Sequence, residues 1–233
     1  MRTALQWLIA AAATGVTGCA LEPVRDSGEI STRDLTMGLA ASDAGGGASV
    51  KIRLSSPLGS VRLAGGDALR LSMGDQALPL REGEEDGQTV YRTEPVGLTA
   101  DLVIDLERPD DRSALGVVAG VPPPFTLAAP GLAGGEPLEL SWEAAAGGHT
   151  LGLAVEGECI APIARSLAND TGAYSIAQAE LIHAGPGSAA TCPLRVTLTR
   201  TATTQGPLVP GVEGGRIYAY VVQSRSTEVE WQP

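Results

Sequence analysis

The sequence predicts an all-β protein made of two β-sandwich modules that follow a signal peptide and a flexible tether. Short segments with alternating apolar and polar residues recur along the chain, and turns rich in Gly or Pro separate them. No segment has the apolar periodicity of a long amphipathic helix. Since the 233 residues include 30 Gly and one Phe, the cores must be built mainly from aliphatic side chains.

Residues 1–18 predict a signal peptide. Arg2 precedes an apolar run over residues 4–13, and small residues then lead to Val16-Thr17-Gly18-Cys19. The run is shorter than the roughly 20 apolar residues that a membrane-spanning helix needs. The tetrapeptide resembles the lipobox of bacterial lipoproteins, which implies cleavage before Cys19 and a diacylglycerol on its thiol.

Residues 19–47 are predicted to form a flexible tether between the lipid and the folded part. Turn-forming pairs such as Glu22-Pro23 interrupt this stretch, and residues 43–47 are rich in Gly. Flexible-chain statistics give such a tether a reach of about 25–30 Å. Within it, residues 29–39 suit either a short helix or an early strand.

An N-terminal β-sandwich module is predicted over residues 48–118. Residues 50–54 alternate apolar and polar side chains, as in a half-buried strand. The same alternation marks further strands at residues 61–63, 69–73, 89–92 and 102–107.

An acidic loop lies at residues 82–87. It ends in Asp86-Gly87, a pair that favours a hairpin turn. Its carboxylates suit loose binding of calcium, but a solvated hairpin loop is the favoured interpretation.

The segment Val121-Pro122-Pro123-Pro124 is predicted to separate the modules, because consecutive prolines cannot lie in a central strand. A single large sandwich that uses this segment as a crossover is the competing interpretation. The C-terminal module then covers residues 119–233. Its predicted strands lie at residues 125–127, 138–142, 151–155, 194–200 and 217–231.

The segment from Asp170 to Ile176 carries a more specific resemblance. Asp170, Gly172 and Tyr174 match the tyrosine-corner signature at the start of strand F in immunoglobulin-like domains. The resemblance covers residues 125–231 and implies an immunoglobulin-like sandwich in which the Tyr174 hydroxyl bonds to upstream backbone and Asp170 occupies the turn. Ile176 stands where the family has a cysteine, and Trp142 lies on a preceding strand, where such domains bury a Trp.

The whole mature chain also resembles a group of uncharacterised proteobacterial lipoproteins. The shared features are Gly65-Gly66-Asp67, Pro123-Pro124-Phe125-Thr126, Gly157-Glu158-Cys159, Cys192, Arg200, Gly214-Gly215-Arg216-Ile217, Gln223 and Arg225. This resemblance implies architecture and location but no activity.

Once Cys19 is assigned to the lipid, Cys159 and Cys192 remain as an even pair in an exported protein. Free thiols and half of a metal site are the alternatives, but the chain has two His and no Cys-x-x-Cys. A disulfide is predicted, worth roughly 3–4 kcal/mol.

The sequence lacks the motifs of a nucleophile elbow, a zinc protease or a phosphate-binding loop. His149 and His183 lie in Gly-rich turns and are interpreted as solvated. We therefore expect no enzymatic activity, catalytic residue, metal or cofactor. The net charge of −11 argues against nucleic acid as a partner.

Two sets of side chains remain as candidates for binding. Four arginines on the last strands are predicted to line one exposed face of a sheet: Arg195, Arg200, Arg216 and Arg225. They are either paired with acidic neighbours across the strands or available to an anionic glycan or peptide. The aromatic candidates for sugar stacking are Tyr91, Tyr218, Tyr220 and Trp231. Tyr218 and Tyr220 are two residues apart and should share a strand face.

The expected function is that of a lipid-anchored protein of the cell envelope, attached to a membrane through Cys19. We expect the protein to act as a structural or protein-interaction module, and binding of carbohydrate or peptidoglycan is the alternative. Ala20 follows Cys19 in place of the Asp that marks inner-membrane retention in enterobacterial lipoproteins. The resemblance therefore implies the outer membrane, on its periplasmic face.

Overall fold

The computed structural model describes residues 23–132, 135–182 and 191–232. Strands dominate this part of the chain, with three short 3-10 helices at Ser27–Glu29, Thr32–Asp34 and Gln178–Glu180, so the all-β prediction is confirmed. Within the described residues, no helix is long and apolar enough to cross a bilayer. The predicted signal peptide and Cys19 lie outside the described residues.

The strands are numbered in chain order. They are β1 (Arg25–Asp26), β2 (Thr36–Asp43), β3 (Lys51–Ser56), β4 (Gly59–Arg62), β5 (Ala68–Met73), β6 (Gln76–Ala77), β7 (Arg81–Glu85), β8 (Gln88–Arg92), β9 (Leu102–Glu107), β10 (Ala114–Ala119), β11 (Leu127–Ala128), β12 (Leu138–Trp142), β13 (His149–Glu156), β14 (Ile163–Leu167), β15 (Ala173–Ile176), β16 (Cys192–Pro207) and β17 (Arg216–Trp231).

These strands form three sheets. A ten-stranded sheet has the order β1-β4-β3-β2-β17-β16-β13-β14, and the β7–β8 hairpin joins it through β3. A four-stranded sheet has the order β10-β9-β5-β6, and a three-stranded sheet the order β11-β12-β15. Most pairs are antiparallel, but β1 with β4 and β2 with β17 are parallel.

One long hairpin runs through the whole molecule. Its strands β16 and β17 have 16 residues each, which corresponds to roughly 50 Å of extended chain. The first half of β17, from Arg216 to Gln223, also pairs with β2, whereas the second half continues beside β16 alone. The two ends of the hairpin therefore belong to different sandwiches.

Two hydrophobic cores lie along this hairpin. The first core packs the four-stranded sheet against the part of the ten-stranded sheet that contains β2, β3 and the start of β17. The second core packs the three-stranded sheet against β13, β16 and the end of β17. The segment at Pro122 lies between them, so the molecule has two sandwiches that share one continuous sheet.

This sharing corrects the predicted boundaries. Residues 208–221 were assigned to the C-terminal module, but Leu208, Ile217, Ala219 and Val221 are buried in the first core. A cut of the chain near residue 118 therefore does not separate the sandwiches. The competing prediction of a single large sandwich is also wrong, because the described side chains form two cores.

The predicted flexible tether is wrong from Arg25 onward. Residues 36–43 form β2, a central strand whose side chains Met37 and Leu39 are almost completely buried. Upstream, the buried Arg108 guanidinium donates hydrogen bonds to the Ser27 carbonyl and the Thr32 hydroxyl. The Gly-rich residues that suggested a tether are the turn that follows β2.

The C-terminal module is an immunoglobulin-like β-sandwich. It has seven strands, β11 to β17. Three of them, β11, β12 and β15, form the three-stranded sheet, and the other four, β13, β14, β16 and β17, lie at one end of the ten-stranded sheet, so the chain crosses repeatedly between the two sheets. A disulfide joins Cys159, which precedes β14, to Cys192 at the start of β16, with 6.2 Å between the Cα atoms. The predicted pairing of these two cysteines is confirmed.

Candidate functional site

The outer face of the ten-stranded sheet points away from both cores and carries two exposed aromatic rings. Along β17, buried Ile217, Ala219 and Val221 alternate with Tyr218 and Tyr220, as the strand period requires. The exposed fractions of Tyr218 and Tyr220 are 45% and 54%. The other aromatic candidates, Tyr91 and Trp231, are buried.

Small residues flank the two tyrosines on the neighbouring strand. Tyr218 lies opposite Gly38 and Tyr220 opposite Ala40 on β2. On the other side, the partners on β16 are Gln205 and Thr203. Because Gly38 and Ala40 have little or no side chain, they leave the ring surfaces of the tyrosine pair accessible.

A hydroxyl-rich depression of about 520 Å³ lies beside Tyr220. The residues of β13 and β16 that line it are mostly small or carry hydroxyls; they include Thr150, Gly152, Ala154, Thr197, Thr199 and Thr201. Farther along, cross-strand hydroxyl pairs link Thr197 to Ser226 and Thr199 to Ser224. This side of the face can accept and donate hydrogen bonds through its hydroxyls, and its charged lining residue, Arg165, is paired with Glu180.

A charged depression of about 340 Å³ lies on the other side, beside Tyr218. Lys51, Arg53 and Arg92 surround the Glu85 carboxylate at 3.0, 2.7 and 3.5 Å. The hydrogen bond from Lys51 is the main cause of a lowered Glu85 pKa. Glu85 belongs to the predicted acidic loop, and its carboxylate is engaged by these cations.

The hairpin predicted at Asp86-Gly87 is confirmed. Both residues have positive φ angles, 54° and 75°, at the turn between β7 and β8. This is the backbone that a two-residue type I′ turn requires.

A second cluster of polar side chains lies inside the immunoglobulin-like module. The Asp170 carboxylate accepts hydrogen bonds from Trp142 Nε1 at 2.7 Å and from His149 Nε2 at 2.9 Å. Arg200 Nη2 lies 2.6 Å from Asp170 Oδ2. The exposed fractions of the His149, Asp170 and Arg200 side chains are 5%, 7% and 0%, so the cluster is buried.

These contacts set the ionisation of Asp170. Burial alone would raise the pKa of Asp170, because it removes water from the charged form. Hydrogen bonds from Trp142 and His149, together with the charge of Arg200, outweigh burial and lower the pKa below its ordinary value. His149 and Asp170 are spaced like an acid–base pair, but little of either side chain is exposed to a substrate.

Arg200 also fixes the segment between the modules. Its guanidinium donates to the carbonyls of Pro123 and Glu143, both at 2.7 Å, and stacks over the Phe125 ring at 4.7 Å. Directly across the hairpin, Gln223 Nε2 donates to the Leu98 and Pro122 carbonyls. The two facing side chains therefore hold the proline segment against the shared sheet.

The predicted arginine face is wrong in part. Arg195 and Arg216 are exposed, and Arg195 pairs with Glu228 across the strands. Arg200 is buried, and Arg225 is largely covered and lies 3.6 Å from Asp43. The period of β16 already indicates this, because Arg200 has the same parity as the buried Leu194, Val196 and Leu198.

The predicted solvated turn at His149 is also wrong, since its ring is buried against Asp170. Two neighbouring Gly residues suggested a turn, but His149 is the first residue of β13. The Asp170 carboxylate, about twenty positions later in the chain, provided no local signal. His183 lies outside the described residues.

The tyrosine-corner motif leads into a different strand from the one that it implied. Tyr174 is on β15, which pairs with β12 in the three-stranded sheet, whereas the sixth strand of the module is β16. Asp170 was expected only to occupy the turn, but its carboxylate also accepts a hydrogen bond from the Trp142 side chain. Gly172 has a φ of +80°, and a Cβ there would lie 2.9 Å from the Trp142 carbonyl oxygen.

No protein-family model matches this chain, and no curated protein matches it either. The chain is similar to the solved structure of titin domains A168–A170, with 11% sequence identity and a TM-score of 0.28. That similarity covers 84% of this chain, which spans 61% of the titin segment. The fold of this chain is established by its own strand pairing and cores.

Proposed function

We propose that this chain is a non-enzymatic binding module of the bacterial cell envelope, anchored by a lipid on Cys19. Its binding surface is the outer face of the ten-stranded sheet. The observation that carries the proposal is the exposed pair Tyr218 and Tyr220 at the centre of that face.

The export half of the proposal is supported by two features of the chain. The segment that ends in Cys19 has the order of a lipoprotein signal. The Cys159–Cys192 disulfide suits an oxidising compartment, since such bonds are rare in the cytosol. The anchor is expected on the outer membrane, facing the periplasm.

The preferred partner is another protein of the envelope. Tyr is enriched at protein interfaces because a large apolar ring and a hydroxyl are presented with little loss of side-chain freedom. Beside the pair, the face offers hydroxyls on one side and the cations Lys51, Arg53 and Arg92 on the other. Such a face suits a partner with a complementary acidic edge.

Site-specific photo-crosslinking in living cells tests this proposal. A photoreactive residue in place of Tyr220 should give a discrete crosslinked band. The same residue in place of Glu230 is the matched control, because Glu230 is exposed on the same strand at its far end. Equal labelling at the two positions, or none at Tyr220, would contradict a protein-binding role for this face.

The anchor is tested separately. A Cys19→Ala variant should move from the membrane fraction to the soluble periplasmic fraction. If it still sediments with membranes, the lipoprotein interpretation is wrong.

Glycan binding is the second candidate, and the tyrosine geometry favours it specifically. Two exposed rings on one strand face are about 7 Å apart along the strand, and apolar ring faces suit stacking against sugars. The test is co-sedimentation with purified peptidoglycan. The double variant Tyr218→Ala/Tyr220→Ala should lose binding, whereas Glu230→Ala, at the exposed far end of the same strand, should retain it. Equal sedimentation of the two variants would reject this candidate.

A further inference from the structure

We propose that the apolar corner at the start of the described chain docks on the membrane surface, so that the immunoglobulin-like module points away from the lipid. The apolar corner consists of Pro23, Val24, Pro57 and Leu58, all of which are exposed. The occupant of this surface is the bilayer that holds the anchor. The inference rests on the lipid at Cys19 proposed above.

The corner is one continuous surface. Strand β1 enters beside β4 in parallel, with Arg25 opposite Val61. A Cβ at Gly59 would lie 2.5 Å from the Pro23 carbonyl oxygen, so Pro23 packs directly on the turn between β3 and β4. Leu58, which is 59% exposed, is at the tip of that turn, and Val24, which is 45% exposed, follows Pro23.

The chain length between the lipid and the corner leaves little freedom. Only three residues lie between Cys19 and Pro23, and the four Cα–Cα steps of a fully extended chain span at most about 14 Å. The polar headgroup layer on each side of a bilayer is roughly 5–8 Å thick. The apolar corner is therefore held within reach of the boundary between headgroups and acyl chains, in place of the 25–30 Å expected for a long tether.

The charge of the chain decides which kind of contact this is. With a net charge of −11, the protein gains nothing from general attraction to an anionic membrane. Beside the corner, Arg62 pairs with Asp26 at 2.8 Å. The contact is consequently apolar, and it should not depend on salt or on anionic lipid.

Docking by this corner sets the orientation of the molecule. The start of β17, at Arg216, lies in register with Thr36 of β2, which in turn lies opposite Ser55 next to the corner. Glu228 is twelve residues farther along β17, or roughly 40 Å away. The far end of the long hairpin therefore stands well clear of the bilayer.

The test uses the full lipidated chain in vesicles of phosphatidylcholine. Leu58→Cys provides a thiol for an environment-sensitive nitrobenzoxadiazole label, since Cys159 and Cys192 are bonded to each other and Cys19 carries the lipid. The label at residue 58 should shift its emission to the blue and be quenched several-fold more strongly by spin-labelled lipids than a label at Glu228→Cys. This difference should persist in about 1 M salt, where the Debye length is near 3 Å.

A charge on the corner provides the matched comparison. Val24→Asp should reduce quenching of the label at residue 58 to the level seen at residue 228. Ser226→Asp adds the same charge to an exposed position far from the corner and should have no effect.

Two failures are distinguishable. If the protein floats with vesicles but the labels at residues 58 and 228 are quenched equally, the docking inference is overturned while the anchor stands. If the purified chain lacks the mass of a lipid and does not float, the proposed anchor is wrong and the docking inference fails with it.

Discussion

Arg200 and Asp170 form a buried ion pair across the second sandwich, with 2.6 Å between Nη2 and Oδ2. Arg200 belongs to β16 in the ten-stranded sheet, whereas Asp170 lies in the turn before β15 in the three-stranded sheet. The same guanidinium holds the carbonyls of Pro123 and Glu143. One side chain thus connects both sheets of the immunoglobulin-like module with the segment that leads in from the first module.

Replacing Arg200 by Met should lower the free energy of unfolding by about 3–5 kcal/mol, because Asp170 would remain as a buried charge without its partner. Chemical denaturation followed by circular dichroism measures this loss. The matched control is Arg195→Met on the same strand, whose pair with Glu228 is exposed and worth at most about 1 kcal/mol. Similar losses of unfolding free energy for the two variants would show that the buried pair stabilises the fold no more than the exposed one.

Acid should weaken the fold through Asp170. Because its pKa in the folded state is lowered, Asp170 stabilises the folded state at pH values above its unfolded-state pKa of about 3.9. That stabilisation is lost as the pH falls through the lower folded-state pKa. The difference in unfolding free energy between wild type and Asp170→Asn should thus be largest near neutral pH and narrow below about pH 4.

Denaturation curves recorded from pH 7 to pH 2 check this prediction. The control Asp75→Asn changes an exposed carboxylate and keeps Asp170, so it should retain the wild-type loss of stability in acid. If the unfolding free energy of Asp170→Asn falls in acid as steeply as that of wild type, the loss of stability arises from other groups.

Local sequence patterns were sufficient for the features that depend on neighbouring residues. Alternation located strands such as β3 and β9, and Asp86-Gly87 located a hairpin turn. The cysteine pair followed from counting in an exported chain. Each of these signals depends on neighbouring residues or on composition, so it can be recognised without knowing which distant segments pair in the fold.

Most of the features that the sequence missed or left open depend on residues that are distant in the sequence. Strand β2 is stabilised by parallel pairing with β17, whose residues lie about 180 positions later. His149 is buried because Asp170 accepts its hydrogen bond. Arg200 is the exception. The alternation along β16 already placed its side chain on the buried face, and the only argument against that position was that charged side chains are usually exposed to water.

Gly172 should tolerate no side chain. Its φ of +80° disfavours any other residue, and the added Cβ would meet the Trp142 carbonyl oxygen at 2.9 Å. Gly172→Ala should cost about 1–3 kcal/mol in unfolding free energy. Gly152→Ala is the control, because nothing lies within 4 Å of a Cβ there, and this variant should unfold like wild type. Equal stability of both variants would refute the strain at Gly172.

The disulfide should contribute to stability through the module that contains it. Replacing Cys159 and Cys192 together by Ala should lower the unfolding free energy by roughly 3–4 kcal/mol, as expected for a loop closed over a sequence separation of 33. Thermal unfolding with and without reductant measures the effect. Reductant should lower the melting temperature of wild type and leave the double variant unchanged; a shift in both would show that the loss does not arise from this bond.

The first sandwich should not fold without the last strand of the chain. A fragment that ends at Val121 contains β1 to β10 but lacks β17, which pairs with β2 and buries Ile217, Ala219 and Val221 in the first core. The fragment would leave β2 with an unpaired edge above an open core, so we expect an unfolded or aggregated chain. Its amide resonances should show little dispersion in a two-dimensional NMR spectrum.

A synthetic peptide of residues 205–223 should restore the fold by adding the missing strand to β2. The same peptide with Val221→Asp is the control, since it can pair its backbone but would place a charge in the first core. If the amide resonances of the fragment become dispersed with the unmodified peptide but not with the Val221→Asp peptide, β17 completes the first sandwich. A fragment that unfolds cooperatively without either peptide would contradict this, and the boundary near residue 118 would then separate two independent domains.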